Sequence, residues 1–369
     1  MGGQLNPYAR PAMMSAPEHV VSEMRDDVVC FRLHDPQEHY RAVGLLQELR
    51  RPRDWMPLQR RGDIWELDFP RLPVDRMEYQ FKGVLADGSG DEVFCDPANP
   101  LRAPGAFGEK SVLQAPRYRP PVWASESPAG LLLRASLPSR TLRGEVDVAV
   151  WSSPEVDVED DAPLLVAHDG PEYAELSSLL GFAAHMTDRG VLPAMRVALL
   201  QPPWPRDEHY SASAAYARAL VTEILPALEW LAPTGGDRRQ RVAMGASLGA
   251  LALLHAHRLR PQAFGGLFLQ SGSYFRQRYD RQESGFPRFR RISRFVGSVL
   301  NAESFADPVP VVLTCGTVEE NLPNNRAVTA ALQRQGYDAR LAVNRDAHNY
   351  VGWRDTFDPH LCDLLAKVW

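Results

Sequence analysis

Lysine is nearly missing from this chain: Lys82, Lys110 and Lys367 are the only three, so arginine supplies almost all of the 41 basic residues. The bias reads as genomic base composition and assigns no function to the average arginine. Cysteine is scarce too. Cys30, Cys95, Cys315 and Cys362 lie far apart with no C-x-x-C spacing, which points to neither a disulfide framework nor a zinc site. Charge of one sign is also lacking, with 41 basic against 46 acidic residues, so nucleic acid is not an expected partner. No apolar run approaches the length of a membrane span, and no basic segment followed by an apolar run opens the chain. A cytoplasmic protein with no membrane partner and no cofactor is the expectation. What remains is a chain of 369 residues with 44% hydrophobic content, enough for more than one buried core.

One motif stands out. Gly245-Ala246-Ser247-Leu248-Gly249 separates a strand-like run, Arg241-Val242-Ala243-Met244, from a helix-like run, Ala250-Leu251-Ala252-Leu253-Leu254. This is the form of a nucleophile elbow: a sharp strand-to-helix turn that projects a serine hydroxyl from the top of a sheet and tolerates only small neighbours. The Leu248 N–H, at the start of the helix, would face a developing oxyanion.

A serine needs a base, and the base needs an orienting acid, in the order Ser, acid, His for this kind of fold. After the strand-like run 309–316 comes Thr317-Val318-Glu319-Glu320-Asn321, a carboxylate-bearing loop at a strand's end. Glu319 is the preferred acid, with Glu320 the alternative and Asp346 a third. A last strand, Arg340-Leu341-Ala342-Val343, leads to His348 on the loop before the final helix. His255 and His257, two apart on one helix, face different sides and read as packing residues, while His209 precedes the serine and falls out of order.

The texture of the chain changes at Pro116–Trp123. Before it, Trp65-Glu66-Leu67-Asp68-Phe69 and Met77-Glu78-Tyr79-Gln80-Phe81 alternate with period two, predicting an antiparallel β-sandwich. The run 117–122 reads as a stiff connector. Beyond it, Val148–Trp151, Leu164–Ala167, Val197–Leu200, a long helix over Tyr216–Leu231 and the elbow alternate strand with helix, predicting a doubly wound, mostly parallel α/β domain. The expected division is a disordered segment 1–23, a β-sandwich 24–122 and an α/β-hydrolase domain 123–369.

These features together resemble the enterochelin esterase family, two-domain hydrolases of trilactone siderophores. The carrying residues are Ile64-Trp65, Leu72-Pro73, Tyr79-Gln80-Phe81 and Asp96-Pro97-Ala98-Asn99-Pro100, then Ser111-Val112-Leu113, Trp123 and Glu223-Ile224-Leu225-Pro226. They continue through Gly245–Gly249, Gln270-Ser271-Gly272-Ser273, Gly316 with Glu319, and His348 with Trp353-Arg354. The resemblance implies an N-terminal module akin to glycogen-binding domains, with Ser247 as nucleophile, Glu319 as acid and His348 as base.

The chain departs from the family at two places. The residue after His168-Asp169-Gly170, which elsewhere donates an oxyanion N–H, is Pro171, which has none; Gly170, Glu172 or another group must serve. The family's Arg-x-x-Glu-Leu-x-x-Asn segment keeps only its arginine, Arg206. Trp204 and Arg206 offer an aromatic platform and a cation at a pocket mouth. Residues 276–294 hold seven arginines, Arg288, Arg290 and Arg291 among them, against Asp280 and Glu283, with Tyr279, Phe286 and Phe289 interleaved and Tyr274 and Phe275 just before. A wall of this kind would attract an anionic aromatic ligand.

The expected activity is therefore a serine esterase acting on a small-molecule ester or lactone of a siderophore, ferric or iron-free, as a monomer or homodimer. A carbohydrate-linked feruloyl or acetyl ester is the alternative substrate, and a non-catalytic binding protein of the same fold the alternative class.

Overall fold

Alternation in the first third of the chain produces ten strands, the longer of which turn one face toward a shared core. The computed structural model describes residues 21–105 and 108–369. The strands are β1 (Glu23–Met24), β2 (Val28–His34), β3 (Tyr40–Gln47), β4 (Met56–Pro57), β5 (Gln59–Arg61), β6 (Ile64–Pro70), β7 (Arg76–Leu85), β8 (Asp91–Phe94), β9 (Arg102–Ala103) and β10 (Lys110–Gln114). They form two antiparallel sheets, β1-β2-β6-β5 and β4-β3-β7-β10-β9, the latter with β8 on β7. Phe31 of β2 meets Tyr79 of β7 edge to face at 5.0 Å, so the aromatic residues of the period-two segments form the core between the sheets. Asp96 is fully buried and accepts hydrogen bonds from Ser22 Oγ and Tyr79 Oη, both at 2.7 Å. Asp96 and Asn99 of the Asp-Pro-Ala-Asn-Pro run thus form a buried polar knot with Tyr79. The segment 1–23 expected to be disordered lies, through residue 20, outside the described residues, and its last residue begins β1.

The chain divides into two compact units, the first formed by most of the residues up to Arg117 and the second by Tyr118–Trp369 with the short segment Pro73–Asp75. The last residue of the predicted connector, Val122, opens a short 3-10 turn, Val122–Ser125, that buries Trp123.

The second unit is built on eight strands: β11 (Leu131–Ser139), β12 (Gly144–Ser152), β13 (Leu164–His168), β14 (Arg196–Leu200), β15 (Arg241–Ala246), β16 (Gly266–Gln270), β17 (Val311–Gly316) and β18 (Ala339–Asn344). Their order is β11-β12-β14-β13-β15-β16-β17-β18, parallel from β14 onward. The helices are α1 (Gly170–Leu176), α2 (Leu179–Asp188), α3 (Arg206–Tyr210), α4 (Ala214–Ala219), α5 (Leu225–Glu229), α6 (Leu248–Leu259), α7 (Phe289–Asn301), α8 (Leu322–Arg334), α9 (Tyr350–Arg354) and α10 (Cys362–Val368). Two buried apolar clusters flank the sheet. Every residue of β13, β14 and β16 is buried, as expected of strands covered on both faces. The predicted long helix is present but interrupted: between α4 and α5 the chain widens into a π turn at Leu220–Ile224. Pro226 has no N–H to give the carbonyl four residues back, so regular winding fails just ahead of it.

Two histidines of this unit, His168 and His257, are buried and a third, His255, is partly so; desolvation lowers the pKa of His168 to about 3 and of His255 and His257 to about 4. His257 packs against Phe305 and Tyr337 and is fully buried. Unfolding returns each to about 6.5, so the unfolded state binds more protons below that pH. Stability is complete above pH 6.5 and declines as pH falls toward 4, at up to about 1.4 kcal/mol per pH unit for each histidine. Thermal unfolding should show this decline, and His257→Phe should make it shallower, His168 and His255 supplying the rest; an unchanged slope in that variant would remove His257 from the account.

Candidate active site

The parallel strands end on one edge of the sheet, and the candidate residues follow those ends: Gly170 after β13, Ser247 after β15, Glu319 after β17 and His348 after β18. At the elbow the chain turns from β15 into α6 within one residue. Ser247 has φ 55° and ψ −119°, a region costly for a residue with a side chain, and its N–H donates to the Gln270 carbonyl at 2.8 Å. The flanking glycines are tightly packed. A Cβ on Gly245 would lie 3.0 Å from the Gly249 carbonyl carbon, and one on Gly249 would lie 3.1 Å from Asp169 Oδ2. These contacts also set the elbow against the 168–170 loop. Gly170 is pinned in turn, since a Cβ there would meet Leu199 Cα at 2.3 Å.

Glu319 is the carboxylate that meets the histidine. Its Oε2 lies 2.7 Å from His348 Nδ1, while its Oε1 accepts hydrogen bonds from Ser271 Oγ and the Gly316 N–H, each at 2.6 Å. Burial opposes ionisation of Glu319, but the neighbouring His348, with these two donors, holds its pKa below the usual carboxylate value. Glu320, one residue on, is exposed. Asp346 is buried and uses Oδ1 to accept from the Ala347 N–H and Asn349 Nδ2. Trp353 stands edge-on to the His348 ring at 5.0 Å and donates through Nε1 to Ser271 Oγ at 2.9 Å. Ser271 and Trp353 therefore tie acid and histidine into one network.

The sequence reading gave Ser271 and Ser273 no role. Ser273 Oγ lies 3.0 Å from Ser247 Oγ, and the Ser273 N–H donates to the Ser247 carbonyl at 3.1 Å. The available signal was a second small-residue turn, Ser-Gly-Ser, directly after the strand that pairs with β15.

The expected binding residues have partners of their own in the fold. Arg206 is not a free cation: its Nε and Nη2 donate to Asp169 Oδ1 and Oδ2 at 2.7 and 2.8 Å, so its charge is matched by a nearly buried carboxylate. Trp204, beside it, is 89% exposed. Arg288 and Arg291 share the carboxylate of Glu208, Arg291 Nη1 at 2.7 Å from Oε1. Only Arg290 of these three is exposed without such a contact among the described residues. The interleaved aromatic residues are mostly core: Tyr274 and Phe289 are buried, and Phe275 packs on Phe286 and Phe289. Tyr279 is exposed and carries the Arg276 guanidinium 4.3 Å above its ring. The segment is less basic and less aromatic at its surface than its sequence suggests.

Removing Arg206 should thus act through the fold. Arg206→Gln strands the Asp169 carboxylate, and with Arg206 itself a third exposed the expected loss is about 2–3 kcal/mol, seen as a lower Tm. An unchanged Tm with a raised KM would restore Arg206 to a substrate-binding role.

Among the described residues no helix is long and apolar enough to cross a membrane, and no group of three or more His, Cys, Asp or Glu could hold a metal ion.

No protein-family model matches the chain. It is 25% identical over 287 residues to the iron(III) enterobactin esterase of Escherichia coli O6:H1, covering 75% of this chain and 69% of that protein. The iron(III) enterobactin esterase of Dickeya dadantii is 27% identical over 201 residues, 52% of this chain and 45% of that protein. In structure the chain is similar to the enterobactin esterase of Shigella flexneri, solved in the presence of enterobactin: TM-score 0.74, 23% identity, 93% of this chain and 94% of that one. A ferulic acid esterase superposes with TM-score 0.54 at 17% identity and covers 66% of this chain. The resemblance to the enterochelin esterases read from the sequence holds in both sequence and fold.

Proposed function

We propose that this chain, a relative of the enterochelin esterases in sequence and fold, is a serine hydrolase that cleaves an ester or lactone of a siderophore. The observation that carries the reading is the 2.7 Å contact between Glu319 Oε2 and His348 Nδ1, made by the loops after β17 and β18 at the sheet edge where the strained Ser247 turn also lies. With Glu319 accepting the Nδ1 proton, His348 keeps Nε2 as a base. That nitrogen takes the Ser247 proton as Oγ attacks the carbonyl carbon, and the carbonyl π pair moves onto oxygen.

The resulting oxyanion is assigned to the N–H groups of Leu248 and Gly170. Leu248 opens α6, where main-chain N–H groups have no partner within the helix. On the other loop Pro171 has no N–H, so the second donor is assigned to Gly170, the first residue of α1. Collapse returns the proton from His348 to the leaving alcohol, and water repeats the sequence to free Ser247.

The siderophore reading is supported by relatives named iron(III) enterobactin esterase and by structural likeness over both units. The feruloyl ester reading has support from a more distant structural match, over 66% of this chain at TM-score 0.54, and is not favoured. A direct test incubates the purified protein with iron-free and ferric trilactone siderophore and with methyl ferulate, and follows products by mass spectrometry. Release of hydroxy-acid units from the trilactone is the expected result; cleavage of the ferulate alone would overturn the substrate class.

A further inference from the structure

A nucleophile's hydroxyl has one proton and two lone pairs, so what touches it besides the base bears on its reactivity. Here a second hydroxyl does. We propose that Ser273 is a further catalytic residue: it donates its hydroxyl proton to Ser247 Oγ and stabilises the charge that gathers there as the ester bond forms and breaks. The proposal rests on the reading of Ser247 as the nucleophile.

The geometry is built rather than incidental. Ser273 is nearly buried, and two contacts join it to Ser247, Oγ to Oγ at 3.0 Å and main-chain N–H to main-chain carbonyl at 3.1 Å. Its loop is fixed from α8, where Asn325 accepts from the Gly272 N–H at 3.0 Å and returns an Nδ2 hydrogen bond to the Gly272 carbonyl at 3.1 Å, while Asn321 Nδ2 holds the Ser271 carbonyl at 2.8 Å. Residue 272 must be glycine, because a Cβ there would fall 2.3 Å from the buried Tyr274 ring. The same three-residue turn fixes the acid through Ser271 and touches the nucleophile through Ser273, so the two are held at a set separation.

The direction of the hydrogen bond follows from proton count. When Ser247 passes its proton to His348, that proton points at the base, and the contact with Ser273 survives only with Ser273 as donor. As negative charge develops on Ser247 Oγ the bond becomes charge-assisted and strengthens, which lowers the transition state more than the ground state. In deacylation Ser247 Oγ is the leaving oxygen, and the same donor serves again. The Ser273 proton is never transferred.

The test uses the full chain and a fluorophosphonate, which reports attack by the serine alone, together with p-nitrophenyl acetate turnover. Ser273→Ala should lower the inactivation rate constant and kcat by about 10- to 100-fold, with KM within about twofold of the parent. The Tm should stay within about 2 °C, since the substitution removes one hydroxyl. Ser273→Thr, which keeps the donor, should recover most of the lost rate. An alanine variant within about twofold of the parent, or a threonine variant as slow as alanine, would overturn the proposal. A parent protein that fails to label at Ser247 would instead overturn the serine hydrolase reading on which it rests.

Discussion

Ser247→Ala and His348→Ala should each reduce kcat for a siderophore ester by about 10³- to 10⁶-fold, because members of such a unit fail together and the loss of one approaches the loss of all. Residual turnover would come from the Leu248 and Gly170 donors and from binding. Both variants should keep the parent's circular dichroism. Ser247 makes its structural contacts through its backbone, and alanine at φ 55° carries the same strain as serine. His348 has its side chain 39% exposed, so its removal opens no core cavity. Labelling by a fluorophosphonate should vanish in Ser247→Ala and slow sharply in His348→Ala. A Ser247→Ala variant that still turns over at the parent's rate would end the assignment.

The second large effect separates two adjacent glutamates. Glu319→Gln should lower kcat by about 10³- to 10⁴-fold, while Glu320→Gln should stay within about twofold of the parent. Ser271 Oγ and the Gly316 N–H both donate to Oε1, so the glutamine must keep its carbonyl oxygen there and turn its amide nitrogen to His348 Nδ1. His348 would then have to carry its proton on Nε2, the nitrogen that must accept from Ser247. Lost activity thus follows from the wrong tautomer as well as the lost charge, and raising pH should not restore it. A more damaging Glu320→Gln would show that the acid has been misplaced.

These expectations were legible to different degrees. The elbow is local: five residues, a strand before and a helix after, and glycine on both sides, which tight packing against His168 and Asp169 favours. Strand periodicity likewise marked both sheets, because burial of one face or of both imposes its pattern directly on the residues. The helix around Pro226 was misread only in its continuity.

The partners of the arginines were least legible, since a count of arginines says nothing of what each one faces. Glu208, which neutralises Arg288 and Arg291, lies 80 residues away in the chain, and the Asp169 that holds Arg206 lies 37 residues away. Composition alone presented these groups as free charge.

By itself the sequence determined the class of fold, the serine at its turn and the order of acid and histidine behind it, because each depends on neighbours a few residues apart or on strand order. Only the tertiary structure decided that Glu319 rather than Glu320 faces His348, that Ser271 meets Glu319 and Ser273 meets Ser247, and that Arg206, Arg288 and Arg291 are paired. Adjacent residues on a loop point to different sides, and which side is the inside depends on strands and helices brought together from distant parts of the chain.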